Sequence, residues 1–339
     1  MSREPSITFA NVIVHFGPNL VLLNLAEEVV IPAFTDRNLK RKYSESVYLF
    51  INTGWVSYQP NNAEYSELCL FGRHVKDTVL HSEQVLKNGQ LVPSSESIAS
   101  APSAFFVLTL SNHKLVYLHE TPSAPPLDAF RTTLESFLKT KHQEFINAEF
   151  QRRKRTPEEI SKTALREEIP SPKVEVMPLA SRESIERFVQ SIDKLTHLEF
   201  RILDTNREFQ MLGPYQRIRE DKQRLGAKSS KLTYDNPEGM SKQEVANEIE
   251  LSAASGNQAV VVAGTAEDGT KLRGNNDQLQ MRVPATDLPA DPQRKALRLA
   301  EIFREHAASG HISLDEPEDT QAKTHEIAQK LLGGADDQP

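Results

Sequence analysis

The feature that most constrains this chain is a change of hydrophobic period near residue 121. Before it, apolar side chains recur at every second residue, in short runs rich in Val, Ile, Phe and Tyr, which is the signature of half-buried strands. Ile7 and Phe9, then Val12, Val14 and Phe16, alternate with polar neighbours, and the shift of phase near Ala10-Asn11 predicts a β-bulge. Residues 47–51 and 55–58 flank Asn52-Thr53-Gly54, whose composition predicts a hairpin turn. A second hairpin is expected where 105–110 and 115–118 flank Ser111-Asn112-His113-Lys114. The proline-rich run 121–126 then ends the sheet, because proline cannot donate to a ladder. The period becomes 3.6 at once: Leu127, Phe130, Leu134, Phe137, Leu138 and Phe145 lie on one stripe, a helix that packs against the sheet.

A sheet-rich N-terminal domain over 1–150 follows from this pattern, and 151–172 reads as a linker. It opens on the charge run Arg152-Arg153-Lys154-Arg155, holds a capped helix start at Thr156-Pro157-Glu158-Glu159, and closes on Ile169-Pro170-Ser171-Pro172. Beyond it, Val174 and Val176 mark a short strand. Ser181 caps a helix with the stripe Ile185, Phe188, Val189, Ile192 and Leu195, and Leu198, Phe200 and Ile202 mark a second strand. Residues 259–263 read as a central strand; Leu279, Met281 and Val283 read as a half-buried one. Asp291-Pro292 opens a final helix through Ala296, Leu299, Ala300, Phe303 and Ala307. The expected fold class is α+β: an N-terminal antiparallel sheet with a packed helix, followed by a ferredoxin-like α/β plait over 173–312 with a helical insertion at 205–255. An acidic tail over 313–339 carries one weak helix near Ile327 and Leu331.

At 339 residues two domains are the natural division. A single cysteine, Cys69, excludes an intramolecular disulfide and a thiolate zinc cage, and suits a reducing, cytoplasmic setting. The opening residues do not read as a signal peptide, and no apolar run approaches the ~20 residues of a membrane span.

Chemical motifs are few. Gly264-Thr265-Ala266-Glu267-Asp268-Gly269-Thr270-Lys271 follows an apolar strand but has the threonine and lysine of a phosphate-binding loop in reverse order, so a turn between two strands is the better reading. His113, His119 and Glu120 fall near one hairpin without the spacing of metal ligands. Cys69 sits in a strand-like run where an inert thiol is expected. Glu199-Phe200-Arg201 with Asp193, and Glu220-Asp221-Lys222, have the letters of a nuclease triplet, which charged chains produce by chance. No cofactor or metal is expected.

The stretch 207–231 stands out against a net charge of −7. Arg207, Arg217, Arg219, Lys222, Arg224, Lys228 and Lys231 oppose three carboxylates, and Tyr215 lies among them. Clustered cations with an aromatic suit phosphate-backbone contact through counterion release; alternating charges on a helix also form i,i+4 pairs. With Arg152, Arg153, Lys154 and Arg155 these residues are the candidate nucleic-acid contacts. The outward positions of the second unit, Lys173, Glu175, His197, Glu199, Arg201, Gln278, Gln280 and Arg282, hold no aromatic, which disfavours a base-stacking platform and leaves a face for the first unit or a partner to cover. Three functions are open: a non-catalytic binding protein contacting nucleic acid or a nucleoprotein partner through the basic insertion, a protein-interaction subunit of a multi-protein bacterial system such as phage defence, and a metal-dependent nuclease or hydrolase.

Overall fold

Ten strands in one antiparallel sheet form the frame of the molecule. A computed structural model describes residues 5–59, 66–154, 161–203, 214–253, 256–310, 312 and 318–332. The first part comprises β1 (Ser6–Phe16), β2 (Leu20–Val21), α1 (Ile31–Thr35), β3 (Arg41–Tyr43), β4 (Ser46–Tyr58) and β5 (Glu67–His81). β6 (Gln84–Lys87), β7 (Gln90–Pro93), β8 (Ser97–Ser100), β9 (Ser103–Thr109) and β10 (Lys114–His119) complete it. Next come α2 (Leu127–Arg153), α3 (Lys162–Glu168), β11 (Pro172–Pro178), α4 (Arg182–Ser191), β12 (Lys194–Ile202) and α5 (Pro214–Arg224). They lead to β13 (Ser230–Asp235), α6 (Lys242–Ala253), β14 (Gln258–Thr265), β15 (Lys271–Asn275) and α7 (Asn276–Leu279), then β16 (Arg282–Pro284), α8 (Pro292–Ala308) and α9 (Glu318–Leu332). Helix and strand take 38 % and 37 % of the described residues, so the class is mixed α and β.

The large, curled sheet has the order β11-β1-β10-β9-β5-β4-β3, with β2 and β16 also on β1 and β8 on β5. Both faces are covered. On one, α2 lays Phe130, Leu134, Phe137, Leu138 and Ile146 over Val12, Val14, Phe50, Phe106 and Tyr117. On the other, α8 lays Ala296, Leu299, Ala300 and Phe303 over Ile7, Phe9, Phe71, Phe105 and Val107. This arrangement corrects the bulge expected at Ala10-Asn11: β1 pairs in unbroken register with β10 through Ile7↔Leu118 to Asn11↔Lys114, and with β11 through Ala10↔Pro178 to Phe16↔Pro172. Ile7 and Phe9 point to the α8 side; Ala10, Val12, Val14 and Phe16 point to the α2 side. A strand buried on both faces changes its apolar phase without changing its backbone.

The hairpin expected at 52–54 is also corrected. Residues 46–58 form one strand, and the turn-forming residues accommodate a register shift between Ile51 and Gly54. Asn52 takes a left-handed φ of 51°, and a Cβ on Gly54 would lie 2.7 Å from the Phe71 ring. The sequence therefore encodes an irregularity and a close approach, not a reversal. The hairpin at 111–114 does form, between β9 and β10. Its turn is buried, and burial drives the His113 imidazole down to about 3, with Lys114 adding to the effect.

The second unit departs most from expectation. Its leading strand–helix–strand segment is divided between two sheets, because β11 pairs with β1 while β12 joins a four-stranded sheet of order β13-β12-β14-β15. β16 also pairs with β1, over Ser6↔Pro284 to Thr8↔Arg282, and α8 belongs to the large sheet. Leu279 ends the one-turn helix α7 instead of opening a strand. The insertion 205–255 supplies an edge strand, β13, as well as α5 and α6. Leu195, Leu198, Phe200, Ile202, Val260 and Val262 form a third core under α4, α5 and α6, reached by Ile185, Tyr215 and Ile249. Asn11 joins the two sheets: its side-chain amide donates to Gly256 O (3.3 Å) and Asn257 Oδ1 (2.9 Å).

The helix read at Ile327 and Leu331 is α9. Ile327 enters the α2-side core, and Lys330 pairs with Glu27 at 2.7 Å. The helix start at Thr156-Pro157 and residues 313–317 and 333–339 of the acidic tail lie outside the described residues. No helix among the described residues is long and apolar enough to cross a membrane.

Candidate functional site

β12 builds the site by simple alternation. Leu198, Phe200 and Ile202 enter the core; His197, Glu199 and Arg201 point the other way. β13 lies against it in the register Lys231↔Arg201, Thr233↔Glu199 and Asp235↔His197. Two cations directly opposite would repel. Each is instead neutralised off-register: Lys231 Nζ pairs with Glu199 at 2.8 Å, and Arg201 approaches Glu175 of β11 at 3.8 Å. His197 Nδ1 sits 2.6 Å from Asp235.

This polar face looks onto the large sheet across a cleft of about 630 Å³. Glu175 and the start of α2, with Asp128 and Arg131, line one wall; Glu199, Arg201, Lys231 and Asp277 line the other. Arg131 is held by Asp128 (2.9 Å) and Glu135 (3.2 Å). The Asp277 carboxyl is raised, first by burial and then by the facing charge of Asp128. Asp128 comes from α2 and Glu175 from β11, so the face is apposed to the large sheet and its own helix.

The basic residues separate into two groups. At the end of α2, Arg152 and Arg153 both bind Glu149, at 2.7 and 2.6 Å, and Arg153 also binds Glu168 at 2.8 Å. The two guanidiniums hold Glu149 down to about 2. Arg153 thereby staples α2 to α3. Lys154 follows as an exposed turn residue; Arg155 and Arg207 lie outside the described residues.

The other group follows α5, the turn after it and β13. Arg217, Arg224, Lys228 and Lys231 are exposed along this edge of the four-stranded sheet. Arg224 pairs with Asp221 at 2.7 Å, and that hydrogen bond lowers the Asp221 carboxyl. Arg219 is half-buried and Lys222 is buried, 7 % exposed. Tyr215 is buried as well: its ring packs edge-on against Phe200 and its hydroxyl donates to Glu248. It serves the core.

Tyr234, 44 % exposed on β13, is the accessible aromatic of this edge. The Leu232–Tyr234 alternation was the signal for it, hidden by reading the whole insertion as helical.

The other chemical candidates resolve plainly. Residues 264–271 form the β14–β15 hairpin, with Gly269 at φ 81° in its turn. Cys69 is fully buried, and burial pushes its thiol up to about 12. His113 lies in the buried turn, while Glu120 accepts hydrogen bonds from Arg73, Ser103 and Lys295. Glu220, Asp221 and Lys222 sit on α5. Among the described residues no group of three or more His, Cys, Asp or Glu side chains is placed to hold a metal ion.

No family model matches this chain, and no curated protein is significantly similar to it.

Proposed function

We propose that this chain is a binding protein that engages a nucleic acid, or the nucleic-acid component of a nucleoprotein partner, along the α5–β13 edge. The observation that supports this most is the run of exposed cations Arg217 and Arg224 on α5, Lys228 in the turn after it and Lys231 on the edge strand β13. Arg224 already holds Asp221, but an exposed ion pair is worth only about 0–1 kcal/mol, so a phosphate can displace that carboxylate at small cost. Tyr234, exposed on the same edge strand as Lys231, offers a ring for contact with a base. Arg152 and Arg153 are committed to Glu149 and Glu168, which removes them from the surface we assign.

The test is fluorescence anisotropy with labelled single-stranded and duplex oligonucleotides across a salt series. Four phosphate contacts predict a slope of log K against log salt of about −3.6 on duplex DNA and about −2.8 on a single strand. Changing Arg217 and Lys228 to Gln should bring either slope about halfway to zero. Absence of a complex at low ionic strength, or a slope that the two substitutions leave unchanged, would end the proposal. A protein-interaction subunit is the second reading, favoured by a separate apolar corner of the large sheet.

A further inference from the structure

β3 ends the strand order of the large sheet and pairs on one side only, with β4. It closes a cationic run. Arg37, Lys40, Arg41 and Lys42 fall within six residues that hold no carboxylate, in a chain of net charge −7. Arg37 sits in the turn after α1, Lys40 just before β3 and Lys42 within it, and all three are exposed. Among the described residues their side chains make no ion pair and no hydrogen bond. The carboxylates that bracket the run are engaged: Asp36 pairs with Lys141 of α2 at 2.6 Å, which lowers its carboxyl, and Glu45 lies 3.3 Å from His81. Asp77 is set two strands in from Lys42, across Val47.

The local fold decides which way these side chains turn. Leu39 packs on the α2-side core. Arg41 reaches α2, where its guanidinium donates to Thr132 Oγ1 at 2.7 Å and lies over the rings of Tyr43 and Tyr48, at 5.4 and 4.9 Å. With both neighbours turned inward, alternation sends Lys40 and Lys42 to the opposite side, about 7 Å apart along an extended backbone. Arg41 is the anchor of this edge. It fixes the strand to α2 and adds a half-buried charge that no carboxylate among the described residues pairs with.

We propose that Arg37, Lys40 and Lys42 form a second surface for the phosphate backbone of a nucleic acid, separate from the α5–β13 edge. The inference rests on the nucleic-acid part of the functional reading and adds a place where a further strand is held. Charge complementarity selects the occupant. Lys40 and Lys42 repeat along one extended segment, as successive phosphates repeat along a strand, with Arg37 just before them. None of the three has a carboxylate to give up, so a phosphate contact releases counterions without breaking an ion pair. The exposed apolar residues Leu86, Leu91 and Ile98 belong to the ribbon beyond β5 and take no part in this surface. Lysines on an edge strand also guard against strand-to-strand association, but Arg37 lies outside the strand, where that role has no use for a charge.

Lysine acetylation footprinting of the full chain, read by peptide mass spectrometry with a short single-stranded oligonucleotide at low salt, tests this site by site. Lys40 and Lys42 should lose reactivity by about threefold or more on adding the oligonucleotide and regain it in high salt. The protection should persist in Arg217→Gln with Lys228→Gln. Arg37→Gln with Lys40→Gln and Lys42→Gln should remove one of two oligonucleotides bound per chain at saturation, with an unchanged far-ultraviolet circular dichroism spectrum. Lys40→Arg with Lys42→Arg should keep both. Lys40 and Lys42 that stay reactive while Lys228 becomes protected overturn this proposal and leave the α5–β13 reading standing; if none of the three is protected, both fall. A triple variant that aggregates yet still takes up two oligonucleotides assigns these lysines to edge protection and overturns the proposal. Protection by anionic phospholipid vesicles but not by the oligonucleotide overturns it as well.

Discussion

Glu120, just after β10, is the most informative single position for how the faces of the large sheet are locked. Its carboxylate accepts from Arg73 Nε (2.9 Å) and Ser103 Oγ (2.8 Å) through one oxygen, and from Lys295 Nζ of α8 (3.1 Å) through the other. Its side chain is 16 % exposed, and both cations lie over the Phe105 ring. Burial alone would raise this carboxyl. The donors from Arg73, Ser103 and Lys295, with the charge of Arg73, outweigh that effect and hold it below its ordinary value. Glu120→Gln keeps the shape but leaves two half-buried cations uncompensated. Hydrogen bonds to charged groups are worth about 1.5–3 kcal/mol each and breaking a buried pair costs about 3–5, so we expect a loss of about 3 kcal/mol. Urea unfolding followed by Trp55, the single tryptophan, reads this as a lower midpoint. A cycle with Lys295→Met should return a coupling of about 1–2 kcal/mol. The pH dependence has a fixed sign. A lowered folded pKa gives stability that is complete above the unfolded value near 4.5 and is lost as pH falls through the folded pKa. The gap between wild type and Glu120→Gln should therefore narrow in acid. A change below about 0.5 kcal/mol at neutral pH, or no coupling to Lys295, would refute the assignment of this cluster as the α8 anchor.

Two further predictions concern stability. His74 is buried between Tyr117 (3.0 Å) and Thr133 (3.3 Å), and burial, aided by Arg41, pushes its imidazole down to about 3, as burial does for His113. Both rings stay neutral in the fold while the unfolded chain takes up protons below pH 6.5, so the protein should lose about 2 kcal/mol per histidine by pH 5, and a urea midpoint unchanged between pH 7 and 5 would contradict this. Gly264→Ala would set a Cβ 2.2 Å from Lys194 O and 2.6 Å from Ile192 Cγ2, a clash with backbone that should cost about 3 kcal/mol in the same assay, whereas Gly274→Ala meets only the Phe188 ring and should cost less.

Elements were legible where a local pattern decides them. The stripe from Phe130 to Leu138 gave α2, Ser181 and Asp291 gave the caps of α4 and α8, and the 111–114 turn gave the β9–β10 hairpin. Assembly was not legible. Val174 and Val176 alternate equally well whether β11 pairs with β1 or with β12, because alternation fixes which face is buried and says nothing about which strand lies alongside. The apolar residues of β1 looked like a phase error for the same reason: a sequence shows that two faces are apolar, but not that two helices far apart in the chain, α2 and α8, cover them.

The cationic stretch shows the same boundary in electrostatic form. Counting charges between 207 and 231 could not distinguish Tyr215, drawn into the core against Phe200, from Tyr234, left outside on the edge strand. Nor does charge density in the 152–155 run separate Arg153, whose partner Glu168 is fifteen residues away on another helix, from Lys228 of the second stretch, exposed between α5 and β13. Pairing is a tertiary property. What matters for a binding edge is which cations the fold leaves exposed beside one another and how weakly their present partners hold them. Arg224 meets that condition because both sides of its ion pair with Asp221 are solvated, whereas Arg153, 22 % exposed, is shared between Glu149 and Glu168. The candidate edge is therefore defined less by where positive charge is densest in the chain than by where the fold leaves it weakly committed.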